Sequence, residues 1–194
     1  MVRASVGRIC YAIGVNTSIA TSVRRARPSD TAAVTELVNR AFEVERAFLD
    51  GERTSPDEIA ALIASGWFLV LAYAGGIGAA VLVQGPGERA GLPASHAYLG
   101  MLSVQPELQG KGLGVRLVRV AEAMAEAAGA GSMSLRIVSL REELIRWYRS
   151  LGYREVGTAP FTHPSLKRPC HFIEMVKVLA PAASGYRGDE AGAA

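Results

Sequence analysis

Six residues, Gln109-Gly110-Lys111-Gly112-Leu113-Gly114, combine the side chains and spacing that hold a phosphate anion. Glycines at alternate positions remove the side chains that keep a ligand off the backbone, and they accept the positive φ that a wrapping loop needs. Lys111 adds a mobile cation. An apolar run ends at Val104 and a helix-period pattern starts at Gly112, so the stretch lies between a strand and a helix N-terminus. The first four N–H groups of a helix lack intrahelical partners and its dipole is positive there, so a diphosphate fits without further help. Two other phosphate loops do not match. Gln105 and Gly112 stand where a Walker A loop needs Gly and Ser or Thr, and Val115 and Arg116 follow the three glycines where the dinucleotide fingerprint would continue to another Gly.

The elements that must position this turn are readable from period and punctuation. Residues 21–26 alternate as a short strand, and Pro28-Ser29-Asp30 caps a helix with the apolar stripe Val34, Leu37, Val38, Ala41 and Phe42. The period is lost over 43–54. Ser55-Pro56-Asp57-Glu58 is a capping box that restarts a helix with Ile59, Leu62 and Ile63 inward, stopped by Gly66. Apolar runs at 67–73 and 77–84 about Ala74-Gly75-Gly76 predict an antiparallel hairpin, and 96–104 is the next strand. The helix over 112–128 turns Leu113, Leu117, Ala121, Met124 and Ala128 inward and leaves Arg116, Arg119, Glu122 and Glu126 outside. A strand at 132–138 follows. Ser139-Leu140-Arg141-Glu142 reads as a second capping box, opening a helix with Leu140, Leu144, Trp147 or Tyr148, and Leu151 inward and closing at Gly152. Strands at 153–157 and 170–179 flank a Pro-rich loop at 158–169. The order β, α, α, β, β, β, α, β, α, β, β is a mixed α/β arrangement.

Composition narrows the class. With 49% hydrophobic and 20% charged residues among 194, the chain reads as an ordinary globular protein of one domain, residues 21–180. Residues 1–20 hold no acid and read as a flexible extension, and 181–194 as an Ala/Gly-rich disordered tail. The net charge of +3 comes almost wholly from Arg, with Lys only at 111, 167 and 177. That suits an anionic cofactor; no basic run interleaved with aromatics marks a nucleic-acid binder. No apolar run approaches the roughly 18 residues that span a bilayer. Cys10 and Cys170 have no metal spacing, so no metal, reduced thiols and a cytoplasmic location are the expectation.

Gln109, Gly112 and Gly114 match Gln/Arg-x-x-Gly-x-Gly/Ala, and the stretch resembles motif A of the GCN5-related N-acetyltransferases (GNATs). Tyr148, Gly152 and Tyr153 match the later part of that family's motif B, while Arg141 and Leu144 stand where it has Asn and Ala. The element order is also that of the family, over residues 23–179. The resemblance implies the GNAT fold, a central mixed sheet of about seven strands with four helices, and N-acetylation of a primary amine by acetyl-CoA in a ternary complex. It places the pyrophosphate on Gln109, Gly110, Lys111, Gly112, Leu113 and Gly114, and the pantetheine arm on the main chain of Leu102, Ser103 and Val104. Tyr148 is the implied acid: a phenol with a pKa of about 10 is protonated at neutral pH and can donate to the departing thiolate.

The general base is not readable. Some family members carry Glu six residues before the counterpart of Val104, where this chain has Tyr98; His96 and His163 have suitable ordinary pKa values. Family analogy puts the acceptor between the 43–54 segment, with Glu43, Glu45, Arg46, Phe48, Arg53 and Thr54, and the loop holding Phe161, Thr162 and His163. Tyr98, Phe161 and His163 are the expected substrate contacts. A small-molecule amine is the preferred acceptor, and the resemblance leaves room for a homodimer. A GNAT shell that keeps acyl-CoA for regulation without turnover is the rival reading.

Overall fold

The computed structural model describes residues 21–65 and 67–179. The expected extension at 1–20, Cys10, the Gly66 helix stop and the tail beyond Pro181 lie outside the described residues. Seven strands, β1 (Ser22–Arg25), β2 (Trp67–Tyr73), β3 (Gly76–Gln84), β4 (His96–Val104), β5 (Ser132–Val138), β6 (Arg154–Pro160) and β7 (His171–Val178), form one sheet in the order β1-β2-β3-β4-β5-β7-β6. Four α-helices, α1 (Thr31–Ala41), α2 (Pro56–Ala64), α3 (Leu113–Ala127) and α4 (Glu142–Ser150), connect them in the expected sequence order.

Every strand pair is antiparallel except β4–β5. A parallel pair needs a crossover connection, and α3 is that crossover. The β2–β3 hairpin turns on Ala74 and Gly75, both at positive φ (48° and 82°), the pair of left-handed residues that a type I′ turn uses to match strand twist.

The sheet separates two apolar layers. On one face Val34, Leu37 and Val38 of α1 and Ile59 and Ile63 of α2 pack on Phe68, Val70, Ala80 and Leu82. On the other, Leu117, Val118, Ala121 and Ala125 of α3 and Ile145 and Tyr148 of α4 cover Leu69, Leu71, Ala79, Val81, Leu99 and Leu135. Emptying a fully buried position such as Leu117 leaves a void and costs about 2–5 kcal/mol.

Local signals held where local chemistry decides. Ser55 Oγ accepts the Glu58 N–H at 3.2 Å and Pro56 stands in the first turn. Three expectations yield to longer-range contacts. Pro28–Asp30 forms a 3-10 turn before α1, and the Asp30 carboxylate turns back to the Arg24 guanidinium (2.6 and 2.9 Å) and the Arg27 N–H (2.7 Å) instead of capping the helix. Ser139 does not cap α4, because its Oγ accepts the His171 N–H at 3.3 Å and the helix starts at Glu142 behind Arg141. Glu122, expected outside α3, is buried at 9% exposure because Val118, Glu122 and Ala125 share one stripe.

Candidate active site

β4 and β5 pair only at His96–Ser132, Ala97–Met133 and Tyr98–Ser134. Beyond Tyr98 the two strands part, so one edge of β4 up to Val104 loses its partner while the other edge stays on β3. A bulge adds a second change. Ala80 pairs with Ser103 and Leu82 with Gly100, so β4 carries one extra residue there, and Met101 sits at φ +50°. The extra residue reverses the alternation. Met101 therefore joins the α1/α2 layer, and Leu102 and Val104 pack towards α3. The main chain of Leu102, Ser103 and Val104 thus lies along the parted edge.

The glycine turn follows directly. Gly110 and Gly112 take φ of +74° and +79°, in the region that favours glycine, and nothing lies within 4 Å of where a Cβ would stand at either. Gly112 is the N-cap of α3 and supplies no side chain, so the N–H groups of Leu113, Gly114 and Val115 face outward without intrahelical partners. Gln109, on the surface, donates from Nε2 to Val104 O at 3.4 Å and thereby ties the turn to the end of β4. Gly114 lets Trp147 of α4 and Val104 approach: both lie 3.6 Å from its absent Cβ. Lys111 makes no ion pair among the described residues. An open loop with left-handed glycines, bare N–H groups and a nearby cation fits a pyrophosphate.

Tyr148 lies on α4 with its ring edge-on between Trp147 (4.7 Å between centroids) and Tyr153 (5.3 Å). Its side chain is 4% exposed. The hydroxyl has no hydrogen bond within the described residues. Burial pushes its pKa above the ordinary tyrosine value, and the nearby Tyr98 and Glu122 push in the same direction. The phenol stays protonated at neutral pH. Tyr153 differs: its hydroxyl donates to Glu122 Oε1 at 2.9 Å, and Lys177 Nζ donates to Glu122 Oε2 at 2.6 Å.

The segment from Glu43 to Thr54 carries a 3-10 turn, Glu43–Ala47, and is held by side chains. Glu45 is buried and accepts from Arg141 Nη1 at 3.2 Å, while Arg141 Nε also donates to Glu143 at 2.6 Å. Burial raises the Glu45 pKa, against the opposing pull of Arg141 and Arg53. Arg53 stacks on the Phe42 ring at 5.1 Å. The β6–β7 loop docks on the same segment. Asp50 N–H donates to Ser165 O at 3.1 Å, Lys167 N–H to Phe48 O at 2.9 Å, and Leu49 bridges Leu166. Phe161 stacks on Phe172 at 4.6 Å and lies 6.4 Å from the His163 ring. His163 Nδ1 accepts the Ser165 N–H at 3.2 Å. Tyr98 lies under the Arg89 guanidinium at 3.6 Å and near Tyr148, and His96 Nδ1 pairs with Ser134 Oγ at 2.8 Å.

The structure thus brings Leu102, Ser103, Val104 and the Gln109–Gly114 turn together, with α4 against Gly114. It groups Phe161 with His163, but no hydrogen bond or ring contact among the described residues joins them to Tyr98. The Glu45–Arg141 pair and the Tyr153–Glu122–Lys177 chain were not foreseen. Glu122 had a readable signal: it stands four residues after Val118 and three before Ala125. No group of three His, Cys, Asp or Glu side chains converges among the described residues, and no helix there is long and apolar enough to cross a membrane.

Known structures share this fold. The ribosomal-protein-S18-alanine N-acetyltransferase of Escherichia coli superposes with a TM-score of 0.67 at 19% identity, covering 86% of this chain and 99% of its own. The Salmonella typhimurium protein yncA, solved with its cofactor acetyl-CoA, gives 0.69 at 23% identity, covering 87% and 99%. An N-acetyltransferase of Staphylococcus aureus Mu50 gives 0.70 at 17% identity, covering 83% and 99%. No curated protein sequence matches the chain. The acetyltransferase (GNAT) family model matches residues 31–153, from the start of α1 past the glycine turn and α4 to Tyr153, and the chain belongs to that family.

Proposed function

We propose that this acetyltransferase moves an acetyl group from acetyl-CoA to a primary amine of a small molecule, directly, in a ternary complex. The amine nitrogen forms a bond to the thioester carbonyl carbon as the carbon–sulfur bond breaks. The nitrogen loses one proton to solvent and the sulfur leaves as thiolate. Tyr148 gives its phenolic proton to that sulfur and recovers one from water. Gln109, Gly110, Lys111, Gly112, Leu113 and Gly114 hold the pyrophosphate, and the parted edge of β4 at Leu102, Ser103 and Val104 orients the pantetheine arm. The observation that carries this reading is the pair of left-handed glycines at the bare N-terminus of α3, directly after a strand whose edge has come free.

The acceptor side supports a compact amine. The β6–β7 loop is strapped to the α1–α2 segment through Asp50, Lys167 and Leu49, and in this reading the strapped loop limits the room for an acceptor beside Phe161 and His163. Tyr98 borders the acceptor in this reading. The protein S18 acceptor in the name of the Escherichia coli relative makes a peptide N-terminus the alternative to test. In this reading the protein works in the cytoplasm, and the site leaves room for a homodimer.

Thermal unfolding with acetyl-CoA, CoA, ATP and NAD tests the cofactor. A ligand at about 100 times its Kd stabilises by about 2.7 kcal/mol, or roughly 5–10 °C in a domain of this size. A rise with acetyl-CoA and CoA but not with ATP or NAD is expected; no rise at millimolar acetyl-CoA overturns the cofactor site. Release of CoA thiol is then followed with free amino acids, polyamines and a peptide beginning with free alanine. A response to the peptide alone moves the acceptor from small molecules to proteins, and binding without turnover on any amine favours the regulatory reading.

A further inference from the structure

Two tyrosines five residues apart meet edge to ring, and they are held in opposite ways. Among the described residues the Tyr148 hydroxyl has no hydrogen-bond partner, and its ring is held by packing, edge-on to Trp147 and Tyr153. Tyr153, 1% exposed, is held at its polar end: its hydroxyl donates to Glu122 of α3, whose other carboxylate oxygen accepts from Lys177 of β7. Lys177 also lies over the Tyr153 ring at 5.7 Å, and its stem passes 3.6 Å from the absent Cβ of Gly152, which sits at φ +94°. A carboxylate at 9% exposure costs several kcal/mol to desolvate, and a paired lysine and a phenol offset that cost only in good geometry. An Ala or Leu at 122 would complete the apolar stripe of α3 without this cost. What the buried pair adds is direction, because it holds one tyrosine ring from two elements, α3 and β7.

We propose that Tyr153, anchored by Glu122 and Lys177, is a positioning residue for Tyr148: the bound tyrosine fixes the ring plane of the free one, so that the free hydroxyl points to one place. The inference rests on the reading of Tyr148 as the acid. An acid must stand within hydrogen-bond reach of the leaving atom, and a ring located only by packing holds that reach only as well as its neighbour is held. Glu122 serves a second purpose here. Among the described residues Tyr98 on β4 and Glu122 on α3 both oppose loss of the Tyr148 proton, Tyr153 meets its ring, and Lys177 on β7 reaches this group through Glu122 and the Tyr153 ring.

The test uses the full chain carrying 13C at the tyrosine Cζ and saturated with CoA. The Tyr148 resonance is assigned by its loss in Tyr148→Phe. CoA release is followed with the fastest amine of the panel and also with water as acceptor, since hydrolysis expels the same thiolate. Tyr153→Phe, which removes only the hydroxyl, is expected to broaden or split the Tyr148 resonance. It should lower kcat at least tenfold and leave KM for acetyl-CoA within twofold. Tyr148→Phe/Tyr153→Phe should be no slower than Tyr148→Phe alone, because coupled residues are not additive. Glu122→Gln, which still accepts the hydrogen bond, should keep most of kcat, whereas Glu122→Ala should behave as Tyr153→Phe. If Tyr153→Phe does not fold, Lys177→Met is read in the same way. A Tyr148 resonance unchanged in Tyr153→Phe, or losses that multiply in the double variant, overturns the positioning role. Wild-type kcat in Tyr148→Phe removes the acid reading and this inference with it; loss in Tyr148→Phe with wild-type kcat in Tyr153→Phe removes the inference alone.

Discussion

The glycine turn before α3 and the segment between α1 and α2 are built of different material. The first is backbone: bare N–H groups, two left-handed glycines and open space where side chains would stand. The second is side chain, with Glu45 buried against Arg141, Arg53 stacked on Phe42 and the β6–β7 loop strapped over it. A backbone cradle binds whatever anion fits its curvature and is indifferent to most local side chains. A side-chain cradle is set residue by residue and can be rebuilt for another acceptor. With the two regions assigned as proposed above, the difference would let one fold keep a common cosubstrate while its acceptors diverge.

Substitutions on each side test that contrast, and the largest effect is expected at the chemistry between them. Tyr148→Phe should lower kcat by about 100-fold or more, in the usual range for a lost general acid, with little change in KM for acetyl-CoA. Because burial raises the Tyr148 pKa, kcat of the wild type should show no alkaline fall from this group below about pH 10, the ordinary tyrosine value. A wild-type rate for Tyr148→Phe in CoA release would remove Tyr148 from the mechanism.

On the proposed acceptor side, Arg141→Ala leaves the Glu45 carboxylate buried with Arg53 as the remaining nearby cation among the described residues. Loss of one partner of a buried pair costs about 3 kcal/mol at the low end, or roughly 6–12 °C in the melting temperature. A calorimetric change under 2 °C, a small fraction of that, would show that Arg53 takes over the pairing. On the cofactor side, Gly112→Val forces a β-branched residue into the left-handed region, at about 1–2 kcal/mol, and puts methyl groups where the ligand must approach. Acetyl-CoA should bind about tenfold more weakly by calorimetric titration, with turnover at saturation largely kept. Equal affinity would mean that the turn does not touch the ligand.

The smallest effect is a pH dependence. The folded state raises the Glu45 pKa, so it binds a proton more readily than the unfolded chain does. The group therefore costs nothing below its unfolded value near pH 4.3, and its penalty grows as pH rises through the raised folded value. Glu45→Gln removes the titration, so its melting temperature relative to wild type should improve between pH 4 and pH 7. A difference that is flat or falls over that window contradicts the burial of this carboxylate.

Much of the cofactor side was legible because it is local. A turn flanked by an apolar run and a helical period is written in adjacent residues, and β4 and β5 have the bounds that their sequences predict. Gln109, Gly110 and Gly112 needed no distant partner to be recognised. The acceptor side was legible only as a list of charges. Glu45 lies 96 residues from Arg141, and nothing near either says which of the many carboxylates and guanidinium groups will meet. Ser139 and Asp30 were misread for a related reason: each looks like a helix cap, and each is claimed by another element, through His171 N–H and Arg24.

By itself the sequence determined the order of strands and helices, the glycine turn and its place at a helix N-terminus, and the presence of a tyrosine on the last helix. These follow from period, capping chemistry and φ preference, which act over a few residues. Only the tertiary structure decided that β4 parts from β5 after Tyr98, that a bulge at Met101 reverses the strand's faces, and that Glu122 turns inward to hold Tyr153 against Tyr148. Those depend on which strands become neighbours and on how a buried charge finds its partners. That choice is settled by packing and desolvation across the whole fold, where no window of adjacent residues contains the competing groups.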